Sequence, residues 1–231
     1  MNTIKIDNEF NSKIINIDSD TIIYYKDCDL RLDIIINKDI KLIEFIDNSS
    51  ICNNYILNNN LIINRFSNNS SNNDKFNLNI SDINLDYFYS CLNKDNNLCK
   101  IEIYHNKSNT SSRVISHGIN LTNRKLEFII NGIILEKSIN VSCNQDSKII
   151  IMDENNCVIK PNLIVDNNEI EANHSAYIGK FNKDDLFYLM SRGINYDDSI
   201  KLLAKSFLLK DVDFDVEIKD KIINLINEYW R

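Results

Sequence analysis

The chain is poor in the residues that interrupt regular structure. Its 231 residues include four glycines, one proline and three histidines. A hexapeptide-type acyltransferase solenoid needs many regularly spaced glycines, and four are too few. No G-x-x-x-x-G-K-[ST] run occurs, so any nucleotide chemistry must come from a partner. No uninterrupted apolar stretch reaches about 18 residues, and the opening MNTIKIDNEF lacks the apolar centre of a signal peptide. The expectation is a cytoplasmic protein with no membrane segment. Positive charge is also short, with 26 Lys and Arg against 33 Asp and Glu and a net charge of −7. No basic run with interleaved aromatics appears, which argues against a nucleic-acid surface.

Cysteine is present but unpaired in sequence. Cys28, Cys52, Cys91, Cys99, Cys143 and Cys157 form no C-x-x-C pair and no zinc-site spacing. In a reducing compartment they read as free thiols, most of them small apolar residues. A functional cysteine would need a partner supplied by the fold.

What the chain does have is short apolar runs separated by Asn, Asp and Ser. Examples are Thr21 to Tyr24, Leu32 to Ile36, Leu42 to Ile46, Lys100 to Tyr104, Glu127 to Ile130 and Lys148 to Ile151. Their recurrence every 8–12 residues or so predicts an all-β core to about residue 178, as a sandwich, barrel or solenoid. Asn-rich turns favour the solenoid, because Asn tolerates left-handed backbone at corners. Ser67 to Asn73, all Ser and Asn, reads as an exposed loop inside this core.

After Asn182 the apolar spacing becomes helical. Asn182 suits an N-cap, and Arg192 with Gly193 suits the end of a first helix whose buried face would be Leu186, Phe187, Leu189 and Met190. Asp197 or Asp198 would open a second helix with the stripe Ile200, Leu203, Ala204, Phe207 and Leu208. Asp211 to Asp215 reads as a connector, and a third helix runs from about Val216 to Tyr229. The implied division is 1–181 for the β core and 182–231 for a helical segment covering its end.

Three blocks carry a family likeness. The first is Glu171 to Ile194, EANHSAYIGKFNKDDLFYLMSRGI, with His174, Gly179 and the run Phe187 to Ile194. The second is HNKSNTSSRVISHGIN, with His105, Asn109-Thr110, Ser112-Arg113, Ile115-Ser116 and Gly118-Ile119; bottom-up it is a polar turn, a strand and a glycine corner. The third is SCNQDSKIIIMDENNCVIKP, with Asp146-Ser147 and Pro161. Together they resemble the SufB/SufD family, the scaffold subunits of Suf iron–sulfur cluster assembly, from about Tyr89 onward. The resemblance implies a right-handed parallel β-helix core, a transient iron–sulfur cluster, a SufC-type ATPase partner and pairing with a SufB/SufD-like subunit. It implies a scaffold and not an enzyme.

The resemblance also points to residues. Gln145 occupies the family's cysteine position, and Cys143 lies two residues earlier, on the same face of a strand. Cys143 and His174 are therefore the candidate cluster ligands, since thiolate and imidazole both suit iron. His174 has Asn173 and Ser175 as neighbours where SufB-like proteins carry glutamates. For the ATPase, Phe187, Tyr188, Arg192, Ile200, Leu203 and Phe207 are the candidate docking residues. Two other readings stay open: a β-solenoid interaction module without cluster chemistry, and a β-helix enzyme of another class.

Overall fold

The structure, a computed structural model, describes residues 1–153, 156–166 and 169–230. Among them the chain forms strands from Asn2 to Gly179 and helices from Lys183 onward. The odd-numbered strands are β1 (Asn2–Ile6), β3 (Thr21–Lys26), β5 (Ile40–Asp47), β7 (Leu61–Asn68), β9 (Asn84–Asn93), β11 (Ser111–Asn120), β13 (Val141–Ile151) and β15 (Ile170–Gly179). They form one sheet in that order. The even-numbered strands form the second sheet: β2 (Ile14–Ile17), β4 (Asp29–Ile36), β6 (Ser50–Leu57), β8 (Ser71–Leu78), β10 (Asn97–His105), β12 (Leu126–Ile134) and β14 (Val158–Val165). Pairing within both sheets is parallel. The chain thus alternates between two parallel sheets, one strand of each per coil, which is a parallel β-helix.

The corners explain why Asn is so common. Thr21 pairs with Leu42 and Leu42 with Ile63, a 21-residue step. Asp27, Asn48 and Asn69 repeat at that step, with φ of 49°, 45° and 46°. Asn and Asp enter the left-handed region at lower cost than other side chains. The opposite corner uses Asp82, Asn109 and Asn140 in the same way. Ser67 to Asn73 is accordingly not an exposed loop. Ser67 and Asn68 end β7, Ser71 begins β8, and Ser67, Asn68, Ser70 and Asn72 are buried. The Ser70 hydroxyl accepts the Ser49 N–H at 2.9 Å, stacking one corner on the next.

Two cores result. One lies between the sheets and is filled from Ile6 through Ile149 by inward Ile, Leu, Tyr and Phe. Gly118 belongs here, within β11 and not at a corner. A Cβ on it would sit 2.8 Å from the Phe128 ring, so the glycine makes room for a side chain from the other sheet.

The second core lies on the outer face of the odd sheet. Ile22, Ile43, Phe45, Phe66, Leu92, Ile119 and Ile150 meet helices α2 (Tyr196–Leu209) and α3 (Val216–Tyr229) there. Ala204, Leu208, Ile218, Ile222 and Ile226 are fully buried in that contact, and a buried Leu or Ile contributes about 1.5–3 kcal/mol. Polar pins add direction. Ser90 donates to the Leu208 carbonyl at 2.7 Å, and His117 stacks on Phe207 at 4.6 Å and bonds its carbonyl. These contacts satisfy carbonyls that the end of α2 leaves open.

Helix α1 (Lys183–Ser191) follows the predicted caps and departs from the predicted burial. The Asn182 side chain accepts the Asp184 N–H at 3.0 Å, and Gly193 closes the helix at φ 87°. The second helix is capped by Asn195, whose side chain accepts the Asp198 N–H at 2.8 Å, so neither aspartate is the cap itself. None of the α1 residues is buried, however. Phe187 is 75% exposed, Tyr188 57% and Met190 47%. The apolar stripe is only partly covered: Leu186 and Leu189 are half-buried, while Phe187 and Met190 stay exposed among the described residues.

Candidate functional site

The C-terminal end of the β-helix is open. Strands β15 and β14 are the last members of their sheets, each paired on one side only. Their inward positions continue the interior of earlier coils, and among the described residues no further coil lies above them. Val165 is 36% exposed and Ile178 36%, against 0% for Ile134 and Ile149 one coil below. Such an edge pairs readily with another strand unless something protects it. Pro161 fits within β14 because an edge strand has only one ladder to serve.

His174 stands at the middle of this edge and is exposed. Its register partner on β13 is Gln145, while that of Cys143 is Ala172. Cys143, Gln145, Ala172 and His174 therefore share the inner face of adjacent strands, with the thiol and the imidazole displaced by two residues along the chain direction. Asn173 and Ser175 point the other way, bonding Asn144 and Asp146 on the outer face.

Their environments differ sharply. Cys143 has no exposed surface. Its Sγ fills the space over Gly132, where a Cβ would come within 2.6 Å. Burial pushes the Cys143 thiol up, opposed by hydrogen bonds to Ser112 and Gln145. Behind it lies a directed chain of hydroxyls. Thr110 donates to the Lys107 carbonyl at 3.1 Å and so accepts from His105 Nδ1 at 2.8 Å. His105 Nε2 is then the acceptor, and Ser112 donates to it at 2.9 Å. Burial brings His105 down to about 4, so this imidazole is neutral.

Gln145 is the residue that sequence reasoning did not credit. Its Nε2 reaches the Asn162 carbonyl at 3.4 Å, but its Oε1 is buried without a partner. Its position opposite His174 follows from register, which no local motif reveals. Among the described residues, no group of three or more His, Cys, Asp and Glu side chains is placed to hold a metal ion. Of the two candidate ligands at this end, the imidazole of His174 is accessible and the thiol of Cys143 is sealed.

The candidate docking residues sort themselves by burial. Phe187, Tyr188 and Arg192 are exposed, with Arg192 over the Tyr188 ring at 5.3 Å. Ile200 is 3% exposed and belongs to the packing of α2. Phe207 is held between His117 and Phe181, and Leu203 is half-buried. The stripe Ile200, Leu203 and Phe207 thus turns largely toward this chain, because the odd sheet needs a cover. Tyr196 and Leu202, exposed on α2, were not singled out from the sequence.

The family model described as SUF system FeS cluster assembly, SufBD core domain, matches residues 69–207. The chain belongs to the SufBD family. The match starts at the corner between β7 and β8, well before the Tyr89 limit of the sequence motifs, and ends in α2. An iron–sulfur cluster assembly SufBD family protein of Pyrococcus horikoshii is 39% identical over 90 residues, covering 37% of this chain and 19% of that protein. The iron–sulfur cluster assembly protein SufD of Bacillus subtilis is 26% identical over 130 residues, 54% of this chain and 29% of that one. A SufBD family protein of Staphylococcus aureus is 30% identical over 110 residues, 46% and 23%. The chain therefore matches less than a third of the length of each of these SufBD proteins. Among the described residues, no helix is long and apolar enough to cross a membrane.

Proposed function

We propose that this chain is a non-enzymatic scaffold subunit of a Suf-type iron–sulfur cluster assembly complex, working in the cytoplasm. It pairs with a SufB/SufD-like subunit through the open end of the β-helix, and a SufC-type ATPase docks on the α1 face. The observation that carries this reading is the uncapped last coil, where two edge strands, exposed inward apolar side chains and His174 occur together. A second SufBD β-helix laid against this end would bury the edge and add its own ligands beside His174. The exposed Phe187, Tyr188 and Arg192 suit an aromatic anchor for a helix-binding partner.

The cluster is cargo in this reading, and the donor set fits only a shared site. His174 supplies an accessible nitrogen, and Cys143 is available only when the last coil opens or is remodelled by a partner. Co-purification of the chain with the SufC-type ATPase and SufB/SufD-like subunit of the same organism tests the assembly. Capture of neither partner would overturn it.

The sealed Cys143 favours a second reading, an interaction module without cluster chemistry. Anaerobic reconstitution of the paired complex separates the two. A cluster that depends on His174 supports the scaffold, and partner binding with no such cluster supports the module.

A further inference from the structure

Far from the open end, three charged side chains are wholly enclosed between the sheets. Glu44 on β5, Arg65 on β7 and Asp74 on β8 each have 0% exposure. Arg65 donates through Nε to Glu44 Oε2 at 2.6 Å, through one terminal nitrogen to Asp74, and through the other to the Tyr55 hydroxyl at 2.6 Å. The other Glu44 oxygen accepts the Tyr25 and Tyr55 hydroxyls at 3.1 and 2.8 Å. Asp74 further accepts Asn72 Nδ2 at 2.9 Å and the Asn53 backbone N–H at 3.2 Å. The carboxyl oxygens accept throughout this network. One guanidinium serves two carboxyls, so with both ionised the enclosed cluster is one positive charge short, and burying net charge is costly.

The same place has unused oxygens. Asn53 Oδ1, Asn72 Oδ1 and the Tyr87 hydroxyl are buried without partners, in residues at most 2% exposed. The orientation of Asn53 is fixed by its neighbours. Its Nδ2 donates to the Tyr25 and Tyr55 oxygens at 3.0 and 3.1 Å, whose own protons go to Glu44. Asn72 is fixed likewise by its bond to Asp74. Buried acceptors need a donor or a cation.

We propose that this cluster binds one monovalent alkali cation, with the Asp74 carboxylate, Asn53 Oδ1, Asn72 Oδ1 and the Tyr87 hydroxyl as oxygen ligands. Oxygen-only donors suit a hard cation, and amide-type oxygens suit alkali ions in particular. A single positive charge balances the cluster, whereas a divalent ion would leave an excess beside Arg65. Burial raises the Asp74 carboxyl and the adjacent Arg65 guanidinium opposes the rise, so a cation at this carboxylate competes with a proton. The ion would tie β6 and β8 to β9 through the interior, giving the N-terminal coils a cation-dependent stability.

The test is denaturant unfolding of the full chain in sodium, potassium and choline chloride at equal ionic strength, with wild type and Asp74→Asn. The expected result is a folding equilibrium constant that rises about tenfold for each tenfold increase in bound-range sodium or potassium, and a variant that responds equally to all three salts. Wild-type stability identical in all three salts overturns the proposal. So does stability that ignores the cation but falls as pH rises, which would place a proton on Asp74 instead. If Asp74→Asn does not fold, wild-type crystals in a rubidium or thallium salt decide: an anomalous peak at Asp74 supports the site, and none overturns it.

Discussion

His174 lies directly opposite Gln145 in the β13–β15 register, and not opposite Cys143. The imidazole therefore has an amide as its nearest inward neighbour on the adjacent strand, while the thiol two residues back is closed over by Gly132. This offset places the accessible imidazole at the edge and the thiol inside.

The offset predicts unequal reactivity. In the native chain Cys143 should resist alkylation that modifies the half-exposed Cys52, and should react when denaturant opens the last coil. In the reconstituted complex, His174→Ala should lower cluster absorbance more than Cys143→Ser. Mass spectrometry of alkylated peptides and anaerobic absorbance spectra check the two halves. Rapid native labelling of Cys143, or equal absorbance in all three proteins, would contradict the placement.

Gly132 should be intolerant of a side chain chiefly because of the Cys143 sulfur, with Leu163 and Gln145 at 3.2 and 3.3 Å behind it. Gly132→Ala puts a Cβ at 2.6 Å from the Cys143 sulfur and should cost about 1–3 kcal/mol. Pairing it with Cys143→Ala should recover much of that loss, since the sulfur is the nearest obstacle. A double-mutant cycle by urea unfolding measures the coupling.

The interior histidine sets an acid limit on stability. His105 sits at about 4 in the folded chain, against about 6.5 when unfolded. Between those values the unfolded chain binds more protons, so stability falls as pH drops through that window, by roughly 3 kcal/mol at its acid end. Burial lowers His117 as well and adds a slope of the same sign. His105→Gln should flatten the dependence in urea midpoints measured across this range.

The α1 face can be tested without touching the core. Removing everything after Gly193 would strip α2 and α3 from Phe45, Phe66 and Ile119, so such a truncation should unfold the outer core. Phe187→Ala with Tyr188→Ala should instead leave the melting temperature unchanged and weaken ATPase binding by about 2 kcal/mol or more. Calorimetric titration gives the affinity. Unchanged binding would move the dock elsewhere.

Much of this architecture could be read from particular residues. The change at Asn182 was visible because cap, charge and periodicity agree there. The two-residue displacement of Cys143 correctly kept it on one face, since strand alternation is strictly local. The solenoid repeat was hidden because the step lengthens along the chain. It is 21 residues between Asp27, Asn48 and Asn69, 27 between Asp86 and Arg113, and 31 between Asn109 and Asn140. Ser67 to Asn73 was misread because Ser and Asn look alike in a loop and in a stacked corner; only neighbouring coils distinguish them. Burial at the site was not legible either. Whether Phe187 is covered, or Cys143 is sealed, depends on a distant helix or on the glycine of the opposite sheet.

The central claim is that the last coil is an interface for a like subunit. Light scattering on size-exclusion chromatography of the chain mixed with a SufB/SufD-like subunit tests it most directly, with wild type compared to Ala176→Lys. Ala176 is an exposed inward position on β15, two residues beyond His174, so a lysine there leaves the coils below intact. The account predicts a stable complex with wild type and its loss with Ala176→Lys at an unchanged melting temperature. A complex that forms equally well with both proteins, or with neither, would contradict it.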